Sequence, residues 1–131
     1  MFLSRISSKI DKKVLLELAV KNELLLLDPK KVRSLQSLHL AEHLAKTTVS
    51  EGTNISKRLH LEFLLWLAGR KDISRALDDM LFADARDMLV ISFKRCRKLI
   101  DEITDKKLEL DLEKEASPAE LESISLSRIS N

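Results

Sequence analysis

Two histidines and a glutamate in the first half of the chain have the spacing of a zinc-peptidase motif. His39, Glu42 and His43 match the pattern H-x-x-E-H, in which two imidazoles one helical turn apart hold a metal ion and the glutamate activates water. The match is short, the peptidases that carry it are much larger, and the sequence marks no third ligand downstream. We therefore assign these residues a structural role, with one histidine on the surface and the other packed at the edge of the core, and expect no metal and no cofactor.

The other reactive side chains form no catalytic constellation. His60 lies among apolar residues and Cys96 is the single cysteine, so we expect a hydrogen-bonded histidine at the core edge and a small apolar group. The chain has only two glycines, far apart, and therefore no glycine-rich loop that could hold a phosphate. We expect no catalytic residue, no enzyme activity and no small-molecule substrate.

Length and composition predict one mixed domain over residues 1–131. The chain has 44% apolar and 34% charged residues, with two glycines and two prolines, which favours helices over a loop-rich all-β design. A single cysteine fits a reducing compartment, and the apolar run Leu24–Leu27 is far too short to cross a bilayer. We expect a cytoplasmic protein with no membrane association.

The net charge of +2 is unevenly distributed along the chain. Residues 1–100 hold nineteen Lys and Arg against twelve Asp and Glu, whereas residues 101–131 hold four against nine. Such a basic body can present a positive face to a polyanion, but solvated faces of ordinary composition give the same balance. Charge alone leaves both interpretations open.

The stretch from Asn54 to Met80 predicts two helices joined at Gly69. The first should begin at Asn54 or Ser56 and bury Leu59, Phe63, Trp66 and Leu67, while Asp72 should cap a second helix, Ile73–Met80. Trp66, at helical spacing among leucines, is expected in the core rather than as a base-stacking platform.

The remaining pattern predicts short strands and further helices around this pair. We expect strands over 1–6, 23–27, 88–93 and 107–112, and helices over 9–21, 35–46, 94–103 and from Ser117-Pro118 onwards, with a loop over 47–53. The first of these helices should bury Ile10, Val14, Leu15 and Leu18. The fold class is thus mixed α/β (α+β): a small central sheet of about four short strands packed by several helices, including a buried helix pair.

Two helices with a glycine-containing joint are also typical of a helix-turn-helix. The recognition helix would be Ile73–Met80, which carries Arg75 but also Asp78 and Asp79, and phosphates repel those carboxylates. Because of this repulsion, a small DNA-binding regulator is the alternative function rather than the main one.

An ordered set of motifs resembles a known family. DPKKVRSLQSLHLAEHLAKT, then GTNISKRLHLEFLLWLAGRKDISRALDDM and DMLVISF, resemble the small kinase-binding (regulatory) subunit of the KEOPS complex, the Cgi121 family. The features that correspond are Asp28-Pro29, Ala41 and Ala45, Arg58, Leu67-Ala68-Gly69, Ile73 with Ala76-Leu77, and Leu89–Ile91. The resemblance covers about residues 23–93.

The resemblance implies a non-catalytic subunit with two partners, the atypical kinase/ATPase subunit of KEOPS and transfer RNA. Such subunits support the threonylcarbamoyladenosine (t6A) modification of transfer RNA at position 37, and archaeal relatives are thought to hold the RNA's single-stranded 3′ end. Cations grouped at both ends of a rigid helix suit phosphate contacts of low sequence selectivity. The candidate RNA-binding residues are Lys46, Lys57, Arg58, Arg70 and Lys71.

For kinase docking, the candidates are the apolar residues of the terminal helix, Leu121, Ile124 and Ile129. Ordinary packing within the chain is the competing explanation for their apolar character.

Overall fold

A computed structural model describes residues 1–129 of the chain. It divides into two compact units: Met1–Lys31 with Leu81–Asp111, and Val32–Met80 with the segment that starts at Leu112. The single domain over 1–131 stays a prediction.

The first unit contains an antiparallel sheet of four strands in the order β2-β3-β1-β4. The strands are β1 (Phe2–Ser7), β2 (Leu25–Leu27), β3 (Met88–Ser92) and β4 (Lys106–Leu108). Every residue of β2 and β3 is buried, which explains why both read as continuous apolar runs. All four strands were predicted, although β4 is shorter than the predicted 107–112 and Leu110 is exposed.

Two helices, α1 (Lys12–Asn22) and α5 (Arg97–Ile103), complete the first unit, with a 3₁₀ turn at Pro29–Lys31. The predicted start of α1 at Lys9 and its buried stripe were wrong in part. The Ser8 hydroxyl accepts a bond from the Ile10 amide at 3.2 Å, which keeps this segment in a turn, and the helix begins after Asp11. Leu15 and Ala19 are buried, whereas Val14 is exposed.

Four helices make up the second unit: α2 (Leu35–Glu51), α3 (Leu59–Ala68), α4 (Ile73–Met80) and α6 (Pro118–Ser125). Ser34 and Ser117 cap α2 and α6 by accepting bonds from the amides of Ser37 and Glu120, as their positions predict. The described residues therefore have six α-helices and a four-stranded sheet, which confirms the predicted mixed fold.

Three further helix boundaries differ from the prediction. The predicted loop 47–53 is mostly helix, because α2 continues to Glu51 and ends at Gly52, whose φ of 74° is left-handed. Helix α3 begins at Leu59 rather than at Asn54 or Ser56, because the Asn54 side chain donates to the Ser56 carbonyl at 2.8 Å and stabilises a loop. Helix α5 begins at Arg97 rather than Lys94.

Other features of the second unit agree with the sequence pattern. Gly69 ends α3 with a φ of 66°, and the Asp72 carboxylate accepts a bond from the Ser74 amide at 2.9 Å at the start of α4. Of the four residues predicted to be buried in α3, Phe63 and Trp66 are buried, whereas Leu59 and Leu67 are half-buried. Leu64 and Leu65 are also buried, so α3 is a core helix. Across residues 1–129, no helix is both long and apolar enough to cross a membrane.

Candidate functional site

A buried carboxylate, Glu62, organises the start of α3. Its side chain has no exposed surface. One oxygen, Oε1, accepts the backbone N–H groups of Ile55 and Ser56, both at 3.1 Å. The other, Oε2, accepts the Thr48 hydroxyl of α2 at 2.5 Å and Nη1 of Arg128 at 2.7 Å. One carboxylate therefore joins α2, α3, the loop before α3 and the segment after α6.

Glu62 is ionised at neutral pH. Burial would raise the pKa of its carboxyl, but the bonds from Arg128, Thr48 and Ser56 outweigh burial and hold that pKa below its usual value. The charge is compensated because Arg128 supplies the opposite charge and the other donors supply hydrogen bonds.

Arg128 is itself largely enclosed. Its side chain is 13% exposed, and its guanidinium carbon lies 4.0 Å from the centroid of the Trp66 ring, which is a cation–π contact. The Nε and Nη2 atoms of Arg128 have no hydrogen-bond partner among residues 1–129. Trp66 is 6% exposed and packs in the core, as its spacing predicts, rather than serving as an open stacking platform.

The loop that carries Lys57 and Arg58 is held in place by Glu62. Ser56, immediately before the two cations, is buried, and its hydroxyl accepts a bond from the Arg58 amide at 3.3 Å. Lys57 and Arg58 both lie exposed. Two cations are thus presented by an ordered backbone rather than by a free loop.

The second pair of cations follows the other end of α3. Arg70 and Lys71 are exposed after Gly69, and Nε of Arg70 lies 2.7 Å from Oδ2 of Asp79 on α4. Beside Gly69 is a shallow groove of about 430 Å³, lined by Gly69 and by Ala119, Glu122, Ser123, Leu126 and Ser127. This end of α3 therefore lies next to the C-terminal half of α6.

The five predicted RNA-binding cations form two groups, one at each end of α3. Lys46 is two residues before Thr48, which bonds to Glu62, so it lies towards the same end of α3 as Lys57 and Arg58. Arg70 and Lys71 lie at the opposite end, about 15 Å away along a ten-residue helix. Lys46 also pairs with Glu42 at 3.2 Å. The RNA-binding role of all five stays a prediction.

The three predicted kinase-binding residues lie in different environments. Ile124 is 4% exposed and faces the interior of the second unit, where α6 packs on α2 and α3. Leu121 is half-buried, and Ile129 is 74% exposed. Helix α6 ends at Ser125, so Ile129 lies beyond it, as does Leu126, which is also exposed. Of the three candidates, Ile129 has the most surface to offer a partner.

The H-x-x-E-H residues lie on α2. His39 and His43 are both exposed, although one was expected to pack at the core edge, and the Glu42 carboxylate pairs with Lys46. Within residues 1–129, no group of three or more His, Cys, Asp or Glu is arranged to hold a metal ion.

The helix-turn-helix alternative depends on α4. Its Arg75 and Asp78 are exposed, and Asp79 is paired with Arg70. A duplex approaching this helix would meet carboxylates beside the single arginine, which disfavours phosphate contact.

Comparison with protein families identifies the chain. The model of the kinase binding protein CGI-121 matches residues 5–130, which is nearly the whole sequence. The chain belongs to the CGI-121 family. No individual curated protein matches it. Membership of the CGI-121 family confirms the resemblance found in the motifs and supports a kinase as a binding partner.

Sequence reasoning missed the two residues that hold the CGI-121 chain's second unit together, Glu62 and Arg128. A signal for Glu62 was present, since it is the one acidic residue in the apolar run LHLEFLLWLA. A charge at such a position is buried only if it is paired. Nothing in the spacing of the sequence pointed to Arg128, which is 66 residues further along the chain.

Proposed function

We propose that this CGI-121 family protein is a non-catalytic subunit of the KEOPS complex. In this role it binds the complex's atypical kinase/ATPase subunit and the 3′ end of transfer RNA, and so supports t6A formation in the cytoplasm. The observation that carries the proposal is the family match over residues 5–130, because that family is defined by kinase binding.

The surface chemistry of the second unit supports an RNA partner. Lys57 and Arg58 are exposed on a loop that Glu62 fixes, so little backbone conformational entropy is lost when they contact phosphates. Arg70 and Lys71 add a second cationic group at the far end of α3. Such contacts neutralise phosphates with little sequence selectivity.

Exposed apolar surface after α6 supports a protein partner. Leu126 and Ile129 are 51% and 74% exposed and lie three positions apart in the chain. Removing apolar side chains of this size from water lowers the free energy, which favours binding of a partner. We propose that the kinase subunit covers this surface.

Binding measurements at fixed salt test the RNA part of the proposal. Whole transfer RNA, transfer RNA trimmed of its 3′ end, and duplex DNA are each titrated with the protein. We expect trimming to abolish most of the binding. Equal binding of trimmed RNA would contradict the proposal, and preference for the duplex would favour the DNA-binding alternative.

A further inference from the structure

A pocket in the first unit has the features of a binding site, and none of the predicted partner residues belongs to that unit. It has a volume of about 640 Å³. Its walls include Phe2, Leu3 and Ser4 of β1, Arg97 of α5 and Lys107 of β4. We call it the β1 pocket.

The β1 pocket lies where β1 has a strand partner on one side only. Strand β3 pairs with β1 from Phe2 to Ile6, whereas β4 pairs only with Arg5, Ile6 and Ser7. The segment Phe2–Ser4 therefore has an open edge on the β4 side.

The free backbone groups at this edge belong to Leu3. The Ser7 carbonyl accepts the Asp105 amide at 2.7 Å, so the polar groups of Ser7 point away from β3. Successive residues of a strand alternate in direction, so Arg5 and Leu3 point the same way. Strand β4 ends at Leu108, opposite Arg5. Within residues 1–129, no strand continues far enough to pair with Leu3.

The charges around the β1 pocket are mostly positive. Arg95, Arg97 and Lys107 are exposed, and none of them forms an ion pair in the described part of the chain. Asp101 is the one acidic residue in the lining. An excess of uncompensated cations attracts and orients an anionic ligand. Phe2, which is 52% exposed, adds apolar surface at the same place.

We propose that the β1 pocket binds an extended acidic segment of a partner protein by strand addition. The segment lies beside β1 beyond the end of β4 and pairs with the N–H and C=O of Leu3. Its carboxylates contact Arg95, Arg97 and Lys107. An alternate apolar side chain of the segment packs on Phe2. This inference does not depend on the proposed KEOPS function.

A nucleic acid would form ion pairs with the cations but could not form β-ladder hydrogen bonds with the open edge of β1. Phosphates pair with Arg and Lys, whereas a nucleotide chain has no amide groups that continue a β-ladder. The unpaired Leu3 backbone is therefore the observation that favours a peptide.

The test uses a nonapeptide of alternating Val and Glu, labelled with a fluorophore, and the full-length protein. Two further probes are the same peptide with every backbone amide nitrogen methylated and a nine-nucleotide single-stranded RNA. We expect the unmethylated peptide to bind and methylation to weaken it by at least about tenfold, because the N–H groups that pair with the edge are lost.

Charge reversal of Arg97 and Lys107 tests the cations. The variant R97E/K107E should weaken peptide binding by roughly tenfold. The matched control K98E/K106E reverses two exposed neighbours that do not line the pocket and should leave binding within about twofold. Circular dichroism confirms that each variant is folded.

Three results would overturn the inference. They are failure of the acidic peptide to bind, equal binding of the methylated peptide, and tighter binding of the RNA probe than of the peptide. In each case the strand edge is not the feature that selects the ligand.

Discussion

The guanidinium of Arg128 and the carboxylate of Glu62 form an ion pair, 2.7 Å apart, inside the second unit. Glu62 also accepts the amides of Ile55 and Ser56, which immediately precede the cations Lys57 and Arg58. The segment after α6 and the loop that carries the two cations are therefore attached to the same side chain. Because that side chain is fully buried, a change at either partner is expected to reach the loop.

Breaking the Glu62–Arg128 pair should strongly destabilise the protein. We expect Glu62→Gln or Arg128→Met each to lower the free energy of unfolding by about 3 kcal/mol, because each leaves one buried charge unpaired. Urea unfolding followed by tryptophan fluorescence measures the loss, and Trp66 reports on the same site.

The double variant provides the control for this prediction. E62Q/R128M removes both charges, so its loss should be smaller than the sum of the single losses by about 1–3 kcal/mol. Additive losses would show that the two residues do not interact.

Acid should destabilise the protein partly through Glu62. The pKa of Glu62 is held below its usual value of 4.5 in the folded chain, so the ionised carboxylate stabilises the fold above that value. This stabilisation is lost as the pH falls below 4.5 towards the lower folded pKa. Unfolding free energies measured between pH 7 and pH 3 should fall less steeply for Glu62→Gln than for the unmodified protein.

A second carboxylate, Asp87, also contributes to the loss of stability at low pH. Arg5 bonds to Asp87 through two contacts of 2.7 and 2.8 Å, and this lowers the pKa of Asp87. Some acid sensitivity should therefore remain in Glu62→Gln and diminish further when Asp87→Asn is added. Parallel pH curves for Glu62→Gln and the unmodified protein would exclude Glu62 as a source.

Charge reversal of Arg70 and Lys71 should weaken transfer RNA binding without unfolding the protein. Both side chains are exposed, and each lost phosphate contact should reduce the salt dependence of log K by roughly 0.7. R70E/K71E is compared with R33E/R75E, which reverses two exposed arginines of the same unit. Equal effects of the two variants would mean that only net charge matters.

Ile129 and Ile124 should respond differently to substitution. Ile129→Asp should weaken kinase binding at unchanged stability because the side chain is 74% exposed. Ile124→Ala should instead lower stability by about 2–4 kcal/mol because a buried side chain is truncated. Calorimetric titration with the kinase subunit and thermal unfolding separate the two effects.

Val20→Asp is the matched control for Ile129→Asp. Val20 is 80% exposed and belongs to the first unit. If Val20→Asp weakens kinase binding as much as Ile129→Asp, the segment after α6 is not the docking surface.

Periodicity and capping residues correctly predicted the helices and strands that are determined by residues within or next to them in the sequence. Ser34, Gly69 and Ser117 mark helix ends by their own backbone and side-chain chemistry, and the apolar run 88–92 is a buried strand. The end of α2 was missed because its last turns are fixed by a distant residue: the Thr48 hydroxyl donates to the Glu62 carboxylate, 14 residues further along the chain.

The features that sequence reasoning could not provide are long-range. The partner of Glu62 lies 66 residues away, and the open edge of β1 depends on where β4 stops pairing. By contrast, the grouping of the candidate cations at the two ends of α3 follows from their positions in the sequence on either side of that helix.

Reconstituted t6A synthesis tests the central claim most directly. The kinase/ATPase subunit and the other KEOPS components are assayed on transfer RNA with and without this protein. The proposal predicts that the protein has no t6A activity alone, binds the kinase subunit, and increases t6A formation by the assembled complex. Failure to bind that kinase, together with unchanged t6A formation, would contradict it.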